Sequence, residues 1–182
     1  LDIEQAAALA AQADQEIAPA SRPGRVALVV DANDASLNAI IEHARPDMLQ
    51  LHGHEPPARI AGIKQRFGLP VMPVITVSSQ EDIHQARAVT ELADWILFDA
   101  QPSADSDGLP GGTGSSFDWS YLANFKSSTP WMLAGGLNAG NVAKAIQITQ
   151  APAVDISSGV EKNRGEKSKT AISAFVQAAK LG

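Results

Sequence analysis

Several short stretches of this chain combine residue types and spacings that could do chemistry. Gly135-Gly136 follows the apolar run Trp131 to Ala134, and Ser157-Ser158-Gly159 follows a second run, Ala153 to Ile156. Small residues at strand ends let backbone N–H groups approach a ligand closely, and a phosphate suits such a place. The plainer reading of Gly135-Gly136 is a tight strand-to-helix turn. Asp99 ends the run Trp95-Ile96-Leu97-Phe98. A carboxyl beside so apolar a stretch can have a raised pKa and serve as a general acid; otherwise it caps the following loop. His52 closes another apolar run and could bind or polarise a substrate, or be structural. Asp155 lies just before the end of the last run, where it would orient neighbours rather than react. His54 and Glu55 read as solvated loop residues, His43 and His84 as surface helix residues, and Trp95, Trp119 and Trp131 as packing residues.

The elements that must position these groups alternate. A helix is expected from Asp2 to about Asp14, broken by Pro19 and Pro23-Gly24. Arg25 to Asp31 is a near-continuous apolar run, as in a buried parallel strand. Further strands are expected over Asp47 to Leu51, Leu69 to Thr76, Asp94 to Phe98, Trp131 to Ala134 and Ala153 to Ile156. Helices lie between them. One starts at Asp34 or Ser36, one opens on Pro56-Pro57 and stops at Gly68, one is capped by Ser79, and one carries Val142, Ala145 and Ile146 with Asn138 as its cap. A last helix covers Ser168 to Leu181. Gln101 to Ser116 is too long for a plain connection and reads as a functional loop. No linker divides the chain, so a single α/β domain with a parallel sheet over residues 1–182 is expected. Six strands are two short of a closed eight-stranded βα barrel, and the deficit lies at the N-terminus; an open doubly wound sheet needs no missing piece but lacks the nucleotide-type glycine fingerprint after its first strand. In a barrel, Asp31, His52, Thr76, Asp99, Gly135-Gly136 and Ser157-Ser158 would all face the mouth, with phosphate held by the loops after the last two strands.

Composition narrows the classes. The chain has 182 residues, 45% hydrophobic and 19% charged, which is globular rather than disordered. A net charge of −6 without a basic run disfavours nucleic-acid and anionic-membrane partners. The absence of cysteine excludes disulfides, zinc thiolates and thiol catalysis within these residues. With no apolar run near ~20 residues and no signal-peptide pattern, a cytoplasmic enzyme is the default.

Five ordered motifs carry a resemblance across essentially the whole chain: LQLHGHE (Leu49 to Glu55), LFDA (Leu97 to Ala100), PGGTGSSFDW (Pro110 to Trp119), LAGGLNAGNV (Leu133 to Val142) and VDISSGVE (Val154 to Glu161). Gly165 and Lys167 also fit. Together they resemble the phosphoribosylanthranilate isomerases of tryptophan biosynthesis. The resemblance implies a (βα)8 TIM barrel and an Amadori rearrangement of N-(5-phosphoribosyl)anthranilate to 1-(2-carboxyphenylamino)-1-deoxyribulose 5-phosphate, with no cofactor or metal. It implies Asp99 as the acid, phosphate loops at Gly135-Gly136 and Ser157-Ser158-Gly159, and a flexible loop that includes Gly112 and Gly114. His52 and Asp155 would join the substrate site. The implied partner is a phosphorylated small molecule, not nucleic acid or membrane, bound to a monomer or homodimer.

The family's general base is a cysteine ending its first strand, in a KICG-like motif, and an arginine in an SPR-like motif after its second strand holds the anthranilate carboxylate. Leu1 falls where that arginine motif would just have ended. The expectation is therefore a chain lacking the family's first strand, first helix and second strand, with six of eight strands, and inactive alone. The alternatives are another phosphate-binding barrel enzyme, such as an indole-glycerol-phosphate synthase or a pentose-phosphate epimerase, or a catalytically dead barrel fragment acting as a binding module.

Overall fold

The computed structural model describes residues 2–101 and 116–182. Gly112 and Gly114, with most of the long loop, lie outside the described residues. The chain divides into two compact units, Leu1–Pro73 and Val74–Gly182, with the boundary inside a strand.

The first unit begins with α1 (Ile3–Glu16), whose start is set by a reciprocal cap. The Asp2 carboxylate accepts the Gln5 N–H at 2.8 Å while the Gln5 side chain accepts the Asp2 N–H at 3.2 Å. Then come β1 (Val26–Val29), α2 (Asp34–Ala44), β2 (Met48–Leu51), α3 (Pro57–Phe67) and the beginning of β3 (Val71–Val77). Asp47 holds the entries to β1 and β2 together. Arg22 donates to both its carboxylate oxygens at 2.9 and 3.1 Å, and the Arg25 N–H donates at 2.7 Å. These donors, Arg22 first, bring the Asp47 pKa down to about 2. α3 stops where Gly68 adopts φ 66° and donates its N–H to the Lys64 carbonyl at 3.0 Å. Leu37, Leu49, Leu51, Ile60, Ile63, Val71 and Met72 are all buried.

The second unit continues β3, then α4 (Gln80–Thr90), β4 (Ile96–Ala100), a 3-10 turn at Trp119–Leu122, β5 (Trp131–Leu133) and α5 (Val142–Thr149). A second 3-10 turn, Ser158–Val160, precedes β6 (Glu161–Asn163), β7 (Glu166–Lys167) and α6 (Lys169–Ala179). The five parallel strands run in the order β1-β2-β3-β4-β5, while β6 and β7 form a separate antiparallel hairpin. Phe98, Phe125 and Trp131 meet edge-to-face with centroids 5.0 to 5.6 Å apart. Phe98 and Trp131 are buried there, which is the packing role expected of Trp131.

The structure departs from the sequence expectation in four places. β1 is not buried on both faces: Val26 and Leu28 are about half exposed, at 50% and 52%, whereas Val29 is buried. The apolar run predicted burial, but β1 is the outer strand in this order, and one of its faces is open among the described residues. The expected sixth strand, Ala153 to Ile156, pairs at one position only, a parallel bridge from Val154 to Leu133, because Pro152 and the turn at Ser157 leave it little length. The β6–β7 hairpin was not foreseen: EKN and EK are charged and do not alternate, and the turn depends on Gly165 at φ 81°. Finally, α5 is capped at Asn141 rather than Asn138.

Truncating the centre of the aromatic cluster, Phe98→Ala, should lower the unfolding free energy by about 3–5 kcal/mol, read from urea denaturation midpoints. A loss below about 1 kcal/mol would show that the cluster is not packed as described.

Candidate functional site

Backbone register places the site residues of the second unit. β4 pairs with β5 through Phe98 and Leu133, and Leu133 bridges Val154. The ladder continues past the strand: the Ala134 N–H donates to the Phe98 carbonyl at 2.7 Å, and the Asp155 N–H donates to the Leu133 carbonyl at 2.8 Å. One residue further along each strand, Asp99, Ala134 and Asp155 stand side by side. Residues at equal register in parallel strands share a face, so Asp99 and Asp155 flank Ala134 with Cα atoms about 10 Å apart. Thr76 is the partner of Asp99 on β3 and extends the same row.

Asp99 lies inside β4 rather than just past it, in a strand buried at every position. Burial pushes its carboxyl pKa up, and the Ala100 N–H, which donates to Oδ1 at 2.8 Å, only partly opposes this. The capping alternative finds support too, since that same contact turns the carboxylate onto the following residue.

Gly135 and Gly136 adopt φ 87° and 63°, conformations that strain residues with a Cβ. A Cβ on Gly135 would come within 2.6 Å of the Ala100 nitrogen, so the glycine lets this loop close against the end of β4. Asn141 braces the turn: its side-chain amide donates to the Gly136 carbonyl at 2.9 Å, and its Oδ1 accepts the Asn138 N–H at 2.8 Å. Gly159 is likewise pressed close to this turn, for a Cβ there would clash with the Leu137 carbonyl oxygen. The structure thus brings Asp99, Asp155, Gly135-Gly136 and Ser157-Ser158-Gly159 to one end of one sheet.

His52 belongs to the first unit. It follows β2, is half-buried, and donates its N–H to the Val29 carbonyl at 2.8 Å. Beside it, Glu55 is not merely solvated: its two carboxylate oxygens accept the Asp31 and Gly53 N–H groups, each at 3.0 Å. Asp31, at φ 45°, in turn accepts the His54 N–H at 2.7 Å. His54 itself is exposed, as expected. The bracing residues Glu55 and Asn141 were missed as such, because side-chain-to-backbone bonds across a turn leave no periodic pattern in a sequence.

A profile of N-(5'phosphoribosyl)anthranilate (PRA) isomerase matches residues 3–178. The chain belongs to this isomerase family. The N-(5'-phosphoribosyl)anthranilate isomerase of Parvibaculum lavamentivorans is 53% identical over 163 residues, covering 89% of this chain and 75% of the relative. That of Rhodopseudomonas palustris strain TIE-1 is 46% identical over 180 residues, covering 99% of this chain and 81% of the relative. Among solved structures, phosphoribosyl anthranilate isomerase from Thermotoga maritima superposes with a TM-score of 0.80 at 29% identity, over 99% of this chain and 81% of that one. A second isomerase structure, in complex with reduced 1-(o-carboxyphenylamino)-1-deoxyribulose 5-phosphate, gives 0.77 at 29% identity, over 99% and 80% of the two chains. The α/β fold is therefore the TIM-barrel-like fold of PRA isomerases. No helix among the described residues is long and apolar enough to cross a membrane.

The folded state binds the Asp99 proton more tightly than the unfolded state, so this carboxyl lowers stability as pH rises from the ordinary carboxylate value through its folded value. Asp99→Asn should therefore be at least as stable as wild type at pH 7, with the advantage vanishing below about pH 3.9. Urea midpoints across pH give the answer; an Asn variant that is less stable at pH 7 but equal at pH 3 would contradict it.

Proposed function

We propose that the chain converts N-(5-phosphoribosyl)anthranilate to 1-(2-carboxyphenylamino)-1-deoxyribulose 5-phosphate by an Amadori rearrangement, in tryptophan biosynthesis. Membership of the PRA isomerase family supports the reaction. The observation that carries the residue assignment is the buried Asp99 carboxyl standing in register beside two small-residue loops.

The chemistry has two proton transfers. Protonation of the ribose ring oxygen opens the ring to a Schiff base; removal of the C2 proton then gives an enolamine that tautomerises to the ketone. A ring oxygen is a poor proton acceptor until its C–O bond begins to break, so the donor must be protonated and close. Burial keeps a larger fraction of Asp99 protonated near neutrality than an exposed aspartate would have, and this suits it to the first transfer. Asp155, flanking the same Ala134, stands on the same face and can orient the sugar hydroxyls.

The phosphate of the substrate belongs in this reading at Gly135-Gly136 and Ser157-Ser158-Gly159. With no Cβ at Gly135 that turn closes on the end of β4, and with none at Gly159 the other packs against Leu137, so that main-chain N–H groups would be the donors. For His52, Gly112 and Gly114 the support is the family resemblance alone, and the site rests on the residues of the second unit. The 182 residues contain no cysteine for the second transfer, so the assignment rests on the acid and on the phosphate loops.

Turnover is followed by loss of the fluorescence of the anthranilate substrate. Asp99→Asn keeps the shape and removes the acid, so in a form of the protein that also carries the general base for the C2 proton kcat should fall roughly 10²–10⁴-fold while product affinity stays near wild type. A kcat within a few-fold of wild type would remove Asp99 from the role of acid.

A further inference from the structure

Lys167, on the last residue of β7, reaches back to the loop after Val154. Its Nζ donates to the Ser157 carbonyl at 2.8 Å and to the Ser157 Oγ at 3.1 Å, and it pairs with Glu161 Oε1 at 2.6 Å. Glu161 is the residue opposite Lys167 in the hairpin and its side chain is mostly buried. The hairpin is fastened at both ends. At its turn, Asn163 Nδ2 donates to Glu166 Oε2 at 3.0 Å. At its base, the Ser168 N–H donates to the Val160 carbonyl at 2.8 Å.

We propose that Lys167 is a positioning residue for the phosphate loop: by gripping the Ser157 carbonyl it turns the Ser158 N–H toward the bound anion. The proposal rests on the reading above that Ser157-Ser158-Gly159 holds the substrate phosphate. The physical link is the peptide plane. The Ser157 C=O and the Ser158 N–H belong to one trans peptide unit and point in opposite directions, so whatever holds the oxygen aims the N–H. The loop cannot rotate away on its other side, because Gly159 is packed against the Leu137 carbonyl with no room for even a Cβ. Asn141 holds the Gly136 carbonyl in the same way and so aims the Leu137 N–H, which gives the neighbouring turn an equivalent brace. The ammonium does this without touching the anion.

A purely structural role is a poor explanation of the contact. The Lys167 side chain is 43% exposed, and pairs of that kind contribute little to stability.

The test is a titration of the ¹⁵N-labelled chain with inorganic phosphate, reading both affinity and the shift of each loop amide. In wild type the Ser158 amide should be among those that move most. Lys167→Met should weaken phosphate binding about tenfold and abolish the Ser158 shift, whereas Lys167→Arg, which can still donate to the carbonyl, should stay within about threefold of wild type. Glu161→Gln removes the ion pair but leaves the grip on Ser157. It should also bind phosphate within about threefold of wild type, and it keeps the test open should Lys167→Met not fold. A Ser158 amide that stays still while the Gly136 and Leu137 amides respond overturns the proposal. So does a folded Lys167→Met that binds phosphate like wild type, or a Glu161→Gln as impaired as Lys167→Met. If wild type binds no phosphate and no loop amide moves, the phosphate reading of the loops fails first, and this inference with it.

Discussion

The backbone ladder that runs from Phe98 to Leu133 to Val154 is the constraint on which the proposed chemistry depends. It sets Asp99, Ala134 and Asp155 in one row and delivers the two small-residue turns at the next positions along the chain. A slip of one residue in either pairing would turn a carboxylate to the opposite face, since side chains alternate with a period of two. The ladder is held from below by buried side chains that cannot slip cheaply: Phe98 and Trp131 interlock with Phe125, and Leu133 is fully buried. Packing in the lower half of the sheet therefore sets geometry at its upper end.

The end of the sheet combines two opposite electrostatic environments within a few residues. Asp99 is kept from water, and its ionised form is disfavoured. The adjoining turns instead bring small residues and main-chain groups to the strand ends, where the anion is proposed to sit. A proton donor and a phosphate cradle need this contrast, because a phosphate close to an ionised aspartate would repel it. The separation between them is set by strand spacing rather than by flexible side chains. Glycine makes the approach possible at both turns, and side-chain amides and ammonium groups brace the carbonyls that glycine leaves loose.

Much of this was legible in the sequence. The strand–helix alternation, the polar residues at strand ends and the Gly-Gly and Ser-Ser-Gly turns all have local signatures, and they led to the α/β class and the family, although the expected six parallel strands are five and an isolated bridge among the described residues. What escaped the sequence depended on distance along the chain. The run from Arg25 to Asp31 is apolar throughout, yet its exposure at Val26 and Leu28 is decided by β1's place in the strand order, not by its composition. Ala153 to Ile156 looks like a strand but bonds at one register position, since neighbouring Pro152 and Ser157 shorten it. Glu55, Asn141 and Lys167 act on backbone groups across turns, and polar residues in such positions look like any solvated loop until the turn is folded.

The most direct measurement is a crystal structure of the chain with 1-(2-carboxyphenylamino)-1-deoxyribulose 5-phosphate bound. The phosphate is expected between the turns at Gly135-Gly136 and Ser158-Gly159, held by main-chain N–H groups, with the ribulose chain running toward Asp99. Phosphate density at another strand end, or a product whose sugar leaves Asp99 out of reach, would contradict it.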